Sequence, residues 1–202
     1  HVCLDKVNIG SDIKPGNLVI GLASTGVHSN GLTLARKVLL GDSLDEQKSR
    51  VNDYEEFLGQ TLGEALLEPT RIYVQPIMEM LDKEIDLKAM VHITSGGFCN
   101  LNRVACDGIR FVIDRLQPVP EIFNLIQDRG GVSEAEMFEV FNMGTGFCLV
   151  VEGIKEVEAI SEICKAYDLP CQVIGQIEAS QDKEVCLPTK QLIGKGSKFK
   201  VS

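Results

Sequence analysis

The sequence predicts an α+β domain, a mixed β-sheet flanked by helices in α/β/α layers, and three observations lead there. Apolar runs of strand length, such as Leu18–Ala23 and Phe147–Val151, are interspersed with segments of helical period. Strands and helices do not alternate strictly, as a doubly wound parallel sheet would require. No low-complexity tract, linker or repeat of about 20 to 50 residues interrupts the chain, so residues 1–202 read as a single domain.

Along the chain, Cys3–Ile9 reads as one arm of a hairpin, Lys14-Pro15-Gly16-Asn17 as its reversal and Leu18–Ala23 as the second arm. That second arm is almost continuously apolar, the pattern of a strand covered on both faces and lying inside a sheet. Leu32, Leu34, Ala35, Val38 and Leu39 then recur at helical spacing, with Arg36 and Lys37 opposite and Gly41 as the stop. Residues 41–60 are polar and are expected to form a surface connection with a helical second half.

The stretch from Leu62 to Leu81 has helical period but contains Pro69 and Pro76, each lacking a backbone donor; this predicts a short turn and then a helix from Thr70. Leu87–Ile93 reads as a strand, Thr94–Gly97 as a turn and Phe98–Ala105 as a short helix. Phe111–Asp114 is the next strand, followed by a helix over 121–129 that Gly130-Gly131 stops. Ser133 and Glu136 have the spacing of a capping box for a helix reaching Phe141. The strand Phe147–Glu152, a helix over 157–167 and strands over 172–177 and 184–187 complete the pattern, and the basic, glycine-rich tail from Lys190 is expected to fray at its end.

Composition narrows the function. Twenty Lys and Arg face 29 Asp and Glu, a formal charge of −9, which argues against nucleic acid or an anionic membrane as partner because both demand a basic surface. No apolar run approaches the roughly 18 residues of a membrane span, and the N-terminus has neither a signal-peptide pattern nor an initiating Met, so the chain reads as a fragment or a mature segment. The seven cysteines are odd in number, scattered and without a C-x-x-C pair or clustered His. Free thiols in a reducing cytosol are expected, and no metal site.

Three glycine turns carry the chemistry. Thr25–Gly31, TGVHSNG, joins a buried strand to a helix, where unpaired N–H groups carry about half a positive charge and stabilise an anion. Gly26 and Gly31 let a ligand approach, Ser29 and Asn30 can cap the helix or donate, and His28 brings a ring that can titrate. A helix cap with a packed histidine is the competing reading. Thr94, Ser95, Gly96 and Gly97 repeat the form between strand and helix, and two such turns at neighbouring strand ends can share one ligand. His92, just before that turn, is expected to be a core histidine. The third turn, Asn142–Gly146, is read as structural, with Asn142 a possible ligand contact. No Walker A lysine, G-x-G-x-x-G or G-x-S-x-G pattern accompanies them.

GLASTGVHSNGLTLARKVL (21–39), HITSGGF (92–98) and EMFEVFNMGTGF (136–147), in this order and spacing, resemble the C-terminal domain of phosphoribosylformylglycinamidine cyclo-ligases, over essentially the whole chain. The resemblance implies the substrate-binding half of a two-domain, homodimeric, cytoplasmic enzyme. ATP and Mg2+ would be held mainly by an N-terminal domain absent from this chain, leaving the fragment inactive alone. The reaction implied is closure of an imidazole ring in purine biosynthesis, the substrate being phosphoribosylformylglycinamidine.

It also implies that Gly26, His28, Ser29, Asn30 and Gly31, with Thr94, Ser95, Gly96 and Gly97, contact substrate, and that His28 is the candidate catalytic residue. The chain departs from the family's usual T-G-G-G, Glu-Asn and Pro-Arg series: Ser95 replaces a glycine, one residue is missing, and so are the Glu and Pro. Asn100 and Arg103 remain candidate matches. Alternatives are a formylglycinamidine synthase-like, thiamin-phosphate kinase-like or selenophosphate synthetase-like enzyme, or a non-catalytic binding or oligomerisation module.

Overall fold

The computed structural model describes residues 8–201. The elements run β1 (Leu18–Ala23), α1 (Leu32–Leu40), α2 (Leu44–Arg50), β2 (Tyr54–Glu55), β3 (Gln60–Thr61), α3 (Leu62–Leu66), α4 (Val74–Asp82) and β4 (Leu87–His92). A 3-10 helix at Gly97–Arg103 leads to β5 (Ile109–Ile113), α5 (Glu121–Gly130), α6 (Glu134–Val140), β6 (Thr145–Val151), α7 (Ile154–Ala166) and β7 (Cys171–Ala179). The chain ends on β8 (Glu184–Leu187), a short 3-10 turn, β9 (Leu192–Lys195) and β10 (Lys198–Val201).

Eight strands form one sheet in the order β10-β9-β8-β5-β7-β1-β6-β4. Only β5 and β8 run parallel; the other neighbours are antiparallel. The α+β class with helices on both faces is therefore as expected. Period-2 alternation splits each central strand between two cores. Val19, Cys148 and Val150 face the larger core, built with Leu39 of α1, Phe123 of α5 and Phe138 of α6. Ile20, Leu22, Leu149 and Val151 face the other, with Met80 of α4 and Ile160, Ile163 and Cys164 of α7. β1 is apolar throughout because it sits between β6 and β7 and both its faces are covered.

Several local expectations are corrected. β1 pairs with β6 and β7, so it is not the second arm of an N-terminal hairpin. The first arm lies outside the described residues up to 7, and Asn8 and Ile9 are not in a strand. The reversal itself is there, with the Asn17 N–H donating to the Lys14 carbonyl at 3.1 Å. In the polar connection the helix falls in the first half, not the second: Ser43 and Glu46 form a capping box that starts α2, and the β2–β3 ribbon follows.

The helix expected from Thr70 starts at Val74. Pro76 is then its third residue, inside the first turn whose N–H groups lack intrahelical partners, whereas a start at Thr70 would put the proline in the interior. Of the box expected at Ser133, half is formed: its side chain accepts from the Glu136 N–H at 3.2 Å.

The tail is built into strands as far as Val201. β9 and β10 form a hairpin over a two-residue Gly196-Ser197 turn and extend the sheet. Phe199 packs edge-on to Phe138, with ring centroids 6.4 Å apart.

Candidate functional site

The strand order places the three glycine turns at one end of the sheet. β6 lies between β1 and β4 and runs antiparallel to both, pairing Ala23 with Thr145 and His92 with Phe147. The loop leaving β1, the loop leaving β4 and the turn entering β6 must therefore share that end. Asn142 braces it from beneath. Its buried side chain accepts from the Ser24 hydroxyl at 2.7 Å and the Gly144 N–H at 3.0 Å, and donates to the Gly26 carbonyl at 2.8 Å. The amide is thus committed within the protein, which makes Asn142 a strut between the third turn and the first.

The first two turns meet directly. The Asn30 side-chain amide donates to the Thr94 hydroxyl. Gly31 is the N-cap of α1 at φ 77°, no side chain caps the helix, and no acidic residue lies in its first turn. Positive φ is not the only reason for glycine there: a Cβ would sit 2.3 Å from Cε1 of Phe141. Gly97 is more tightly enclosed, since a Cβ would lie 1.9 Å from the Phe138 carbonyl oxygen. Gly96 precedes it as N-cap of the 3-10 helix, and Ser95 is exposed, its carbonyl 3.4 Å from an Arg103 guanidinium nitrogen.

His28 is buried, and its Nε2 accepts from the Thr25 N–H at 3.1 Å and, at 3.5 Å, from the Arg71 N–H. Thr25 also hydrogen-bonds Pro69, donating its hydroxyl to that carbonyl at 2.7 Å. With Nε2 accepting, the neutral ring carries its proton on Nδ1, which has no partner among the described residues. Burial first, then the neighbouring charges of His92 and Arg71, push the His28 pKa down to about 4. Near neutral pH the ring is therefore an uncharged acceptor that ties the first turn to the 69–71 segment. Ser29 makes a parallel tie, its hydroxyl 3.2 Å from that of Thr70.

His92 is not a core residue. It ends β4, the edge strand, is exposed, and stacks on Phe147 with centroids 5.9 Å apart. Together with Thr94, Asn100 and Arg103 it lines a cleft of about 540 Å³ along the outer edge of β4. A turn hydroxyl, a side-chain amide and an exposed guanidinium thus line one cleft in an acidic protein, an arrangement suited to holding an anion locally.

Sequence reasoning missed Tyr73, Arg71 and Ser24. Tyr73 is buried and donates to the Ala23 carbonyl at 2.9 Å, and its ring lies near those of His28, His92 and Phe147. The proline-interrupted segment holding Tyr73 and Arg71 was expected to be helical, which hid them. The polar Ser24 closing an apolar strand was the available signal for the third.

Residues 14–187 match the family described as AIR synthase related protein, C-terminal domain. The chain belongs to this family. Relatives of this AIR synthase related domain include proteins named phosphoribosylformylglycinamidine cyclo-ligase. One from Methanocaldococcus jannaschii is 45% identical over 175 residues, 86% of this chain and 48% of the relative. One from Methanococcus maripaludis strain C7 is 44% identical over 176 residues, 87% of this chain and 48% of the relative. One from Carboxydothermus hydrogenoformans is 42% identical over 181 residues, 89% of this chain and 51% of the relative. The chain spans about half the length of these relatives.

Among solved structures, PurL of T. maritima complexed with FGAR superposes with a TM-score of 0.52 at 12% identity, covering 93% of this chain and 28% of that one. Thiamine-monophosphate kinase from Stenotrophomonas maltophilia gives a TM-score of 0.52 at 16% identity, covering 91% and 54%. At these identities the likeness is one of fold.

Proposed function

We propose that this chain is the C-terminal, substrate-holding half of an ATP-dependent phosphoribosylformylglycinamidine cyclo-ligase that closes the imidazole ring of aminoimidazole ribonucleotide in the cytoplasm, as a homodimer when joined to its N-terminal ATP-binding domain. The observation that carries the reading is the Asn30–Thr94 hydrogen bond, which joins the loop before the uncapped start of α1 to the second glycine turn, whose Thr94 lines the cleft along β4. The names of the relatives supply the substrate class.

In this reading the first-turn N–H groups of α1 receive the phosphate of the phosphoribosyl group, and Asn30, Ser29 and Thr94 orient it. Gly26, Gly31, Ser95, Gly96 and Gly97 shape the backbone around it, and Arg103 adds the one positive side chain among the cleft residues. His28, uncharged, is a positioning residue: it holds the turn and transfers no proton. No helix of the described residues is long and apolar enough to cross a membrane. The described residues present no group of three or more His, Cys, Asp or Glu fit to hold a metal ion. In this reading phosphoryl transfer with ATP and Mg2+ falls to the other domain, and the fragment alone is expected not to turn over.

Calorimetry with ribose 5-phosphate tests the reading. The chain is expected to bind it and not ribose, and Asn30→Ala is expected to weaken binding by about tenfold, the equivalent of ~1.4 kcal/mol. Absence of any phosphate-dependent binding would instead mark the turns as plain helix starts in an inert module.

A further inference from the structure

One tyrosine adjoins all three glycine turns. Tyr73 is the N-cap residue of α4, and its side chain is buried. Its hydroxyl donates at 2.9 Å to the carbonyl of Ala23, the last residue of β1 before the first turn. Its ring lies 6.4 Å from that of His28 in the first turn and 6.2 Å from that of His92, which ends β4 just before the second. The third turn ends under the hydroxyl: a Cβ on Gly146 would lie 2.0 Å from Tyr73 Oη and 3.1 Å from His28 Cε1. The Gly146 carbonyl in turn accepts the Ile93 N–H at 2.9 Å, which ties the third turn to the start of the second.

These contacts account for a glycine that its backbone does not require. Gly146 is not among the glycines with positive φ, so its conformation is open to other residues. What excludes a side chain there is the tyrosine hydroxyl. The second turn, for its part, leaves an edge strand that pairs only with β6, and it meets the first turn through the Asn30–Thr94 bond. Tyr73, packed near both His28 and His92, sets the spacing which that bond has to span.

We infer that Tyr73 is a positioning residue for the phosphate site: its hydroxyl, seated in the space that Gly146 leaves, fixes the separation of the turns, and through them the affinity for ligand. The inference rests on the phosphoribosyl reading of the cleft. Tyr73→Phe removes one oxygen and keeps the ring. The Ala23 carbonyl then loses a donor, and the ring is free to settle toward Gly146, with the two histidine rings following it. A binding constellation keeps its geometry only as well as the groups behind it are locked.

Calorimetry with ribose 5-phosphate, paired with urea denaturation, tests it. Tyr73→Phe is expected to bind about tenfold more weakly than the unsubstituted chain. Its urea midpoint is expected to fall about as far as that of Ser43→Ala, which uncaps α2 and leaves affinity unchanged. A tyrosine that served stability alone would lower the midpoint without moving affinity. Gly146→Ala is expected to lose binding, because its Cβ displaces the hydroxyl. Adding Tyr73→Phe removes the 2.0 Å clash and leaves a 2.9 Å contact with ring carbon Cζ, so the double variant is expected to bind more tightly than Gly146→Ala alone. Loss of the hydroxyl thus weakens binding beside the glycine and strengthens it beside the added methyl, a reversal of sign that marks direct coupling. Unchanged affinity in Tyr73→Phe, or a double variant that binds no better than Gly146→Ala, would overturn the inference and leave the phosphate site standing. Absence of binding by the unsubstituted chain would overturn the reading and the inference with it.

Discussion

Helices α2 and α3, in the connector over residues 41–66, each start on a hydroxyl side chain that accepts from the third helical N–H, with a glutamate reaching back to the cap. Helix α1 starts on Gly31 with no side-chain cap and no acidic residue in its first turn. A helix start that only has to be stable satisfies its orphan donors with its own side chains. One that holds an anion leaves them open and keeps carboxylates away. If the proposed function holds, the glycine end of the sheet and the connector divide binding from scaffolding, and substitutions in the two regions are expected to differ in kind as well as in size.

The largest effect belongs to the glycine end. Gly97→Ala forces a Cβ to within 1.9 Å of the Phe138 carbonyl oxygen at a residue with φ 52°. Backbone on both sides leaves little to move, so left-handed strain and overpacking together are expected to cost roughly 3 to 5 kcal/mol. Urea denaturation checks it. A midpoint close to that of the unsubstituted chain would show that the second turn gives way, and the contrast with the connector would then lose its structural half.

The elements that positioned the turns were readable from the sequence to unequal degrees. The continuous apolar run of β1 was enough to place it inside the sheet, and the sheet's ends follow from that. The residues quoted for the three turns were sufficient to name the loops, because each combines glycines with small polar groups at a strand end. What the sequence does not display is pairing: nothing local says that β1 lies beside β6 and β7, or that Asn30 reaches Thr94. For the same reason His92 looked like a core residue, since an edge strand and an interior strand have the same composition over six residues. The hairpin of the tail was not read from the sequence, although Phe199 alternating with exposed neighbours across Gly196-Ser197 is hairpin chemistry.

A second, smaller effect concerns how the first turn is held. The His28 ring is depressed from an ordinary 6.5 to about 4, so the folded chain resists the proton that the unfolded chain takes up. Its contribution is complete above about pH 6.5, is lost as the pH falls toward 4, and amounts to roughly 3 kcal/mol at about 1.4 kcal/mol per unit. The unsubstituted chain is expected to lose about that much more stability than His28→Gln between pH 7 and 4, measured by urea titration at each pH. Parallel pH profiles would mean that His28 is protonated without disturbing the turn, leaving the acceptor role without support.

The smallest effect sharpens the comparison most. Ser43→Ala and Thr61→Ala each remove a side chain that accepts from the third N–H of its helix, at Glu46 and Glu64 respectively, both at 3.2 Å. Each is expected to cost about 1 kcal/mol in thermal or urea unfolding. Neither helix contributes a side chain to the Asn30–Thr94 hydrogen bond, so affinity for ribose 5-phosphate is expected to stay unchanged even as stability falls. If uncapping α2 or α3 weakened the ligand as much as Asn30→Ala does, the connector would be part of the binding apparatus. The open start of α1 would then be one feature of a site spread over both regions, and not the feature that separates them.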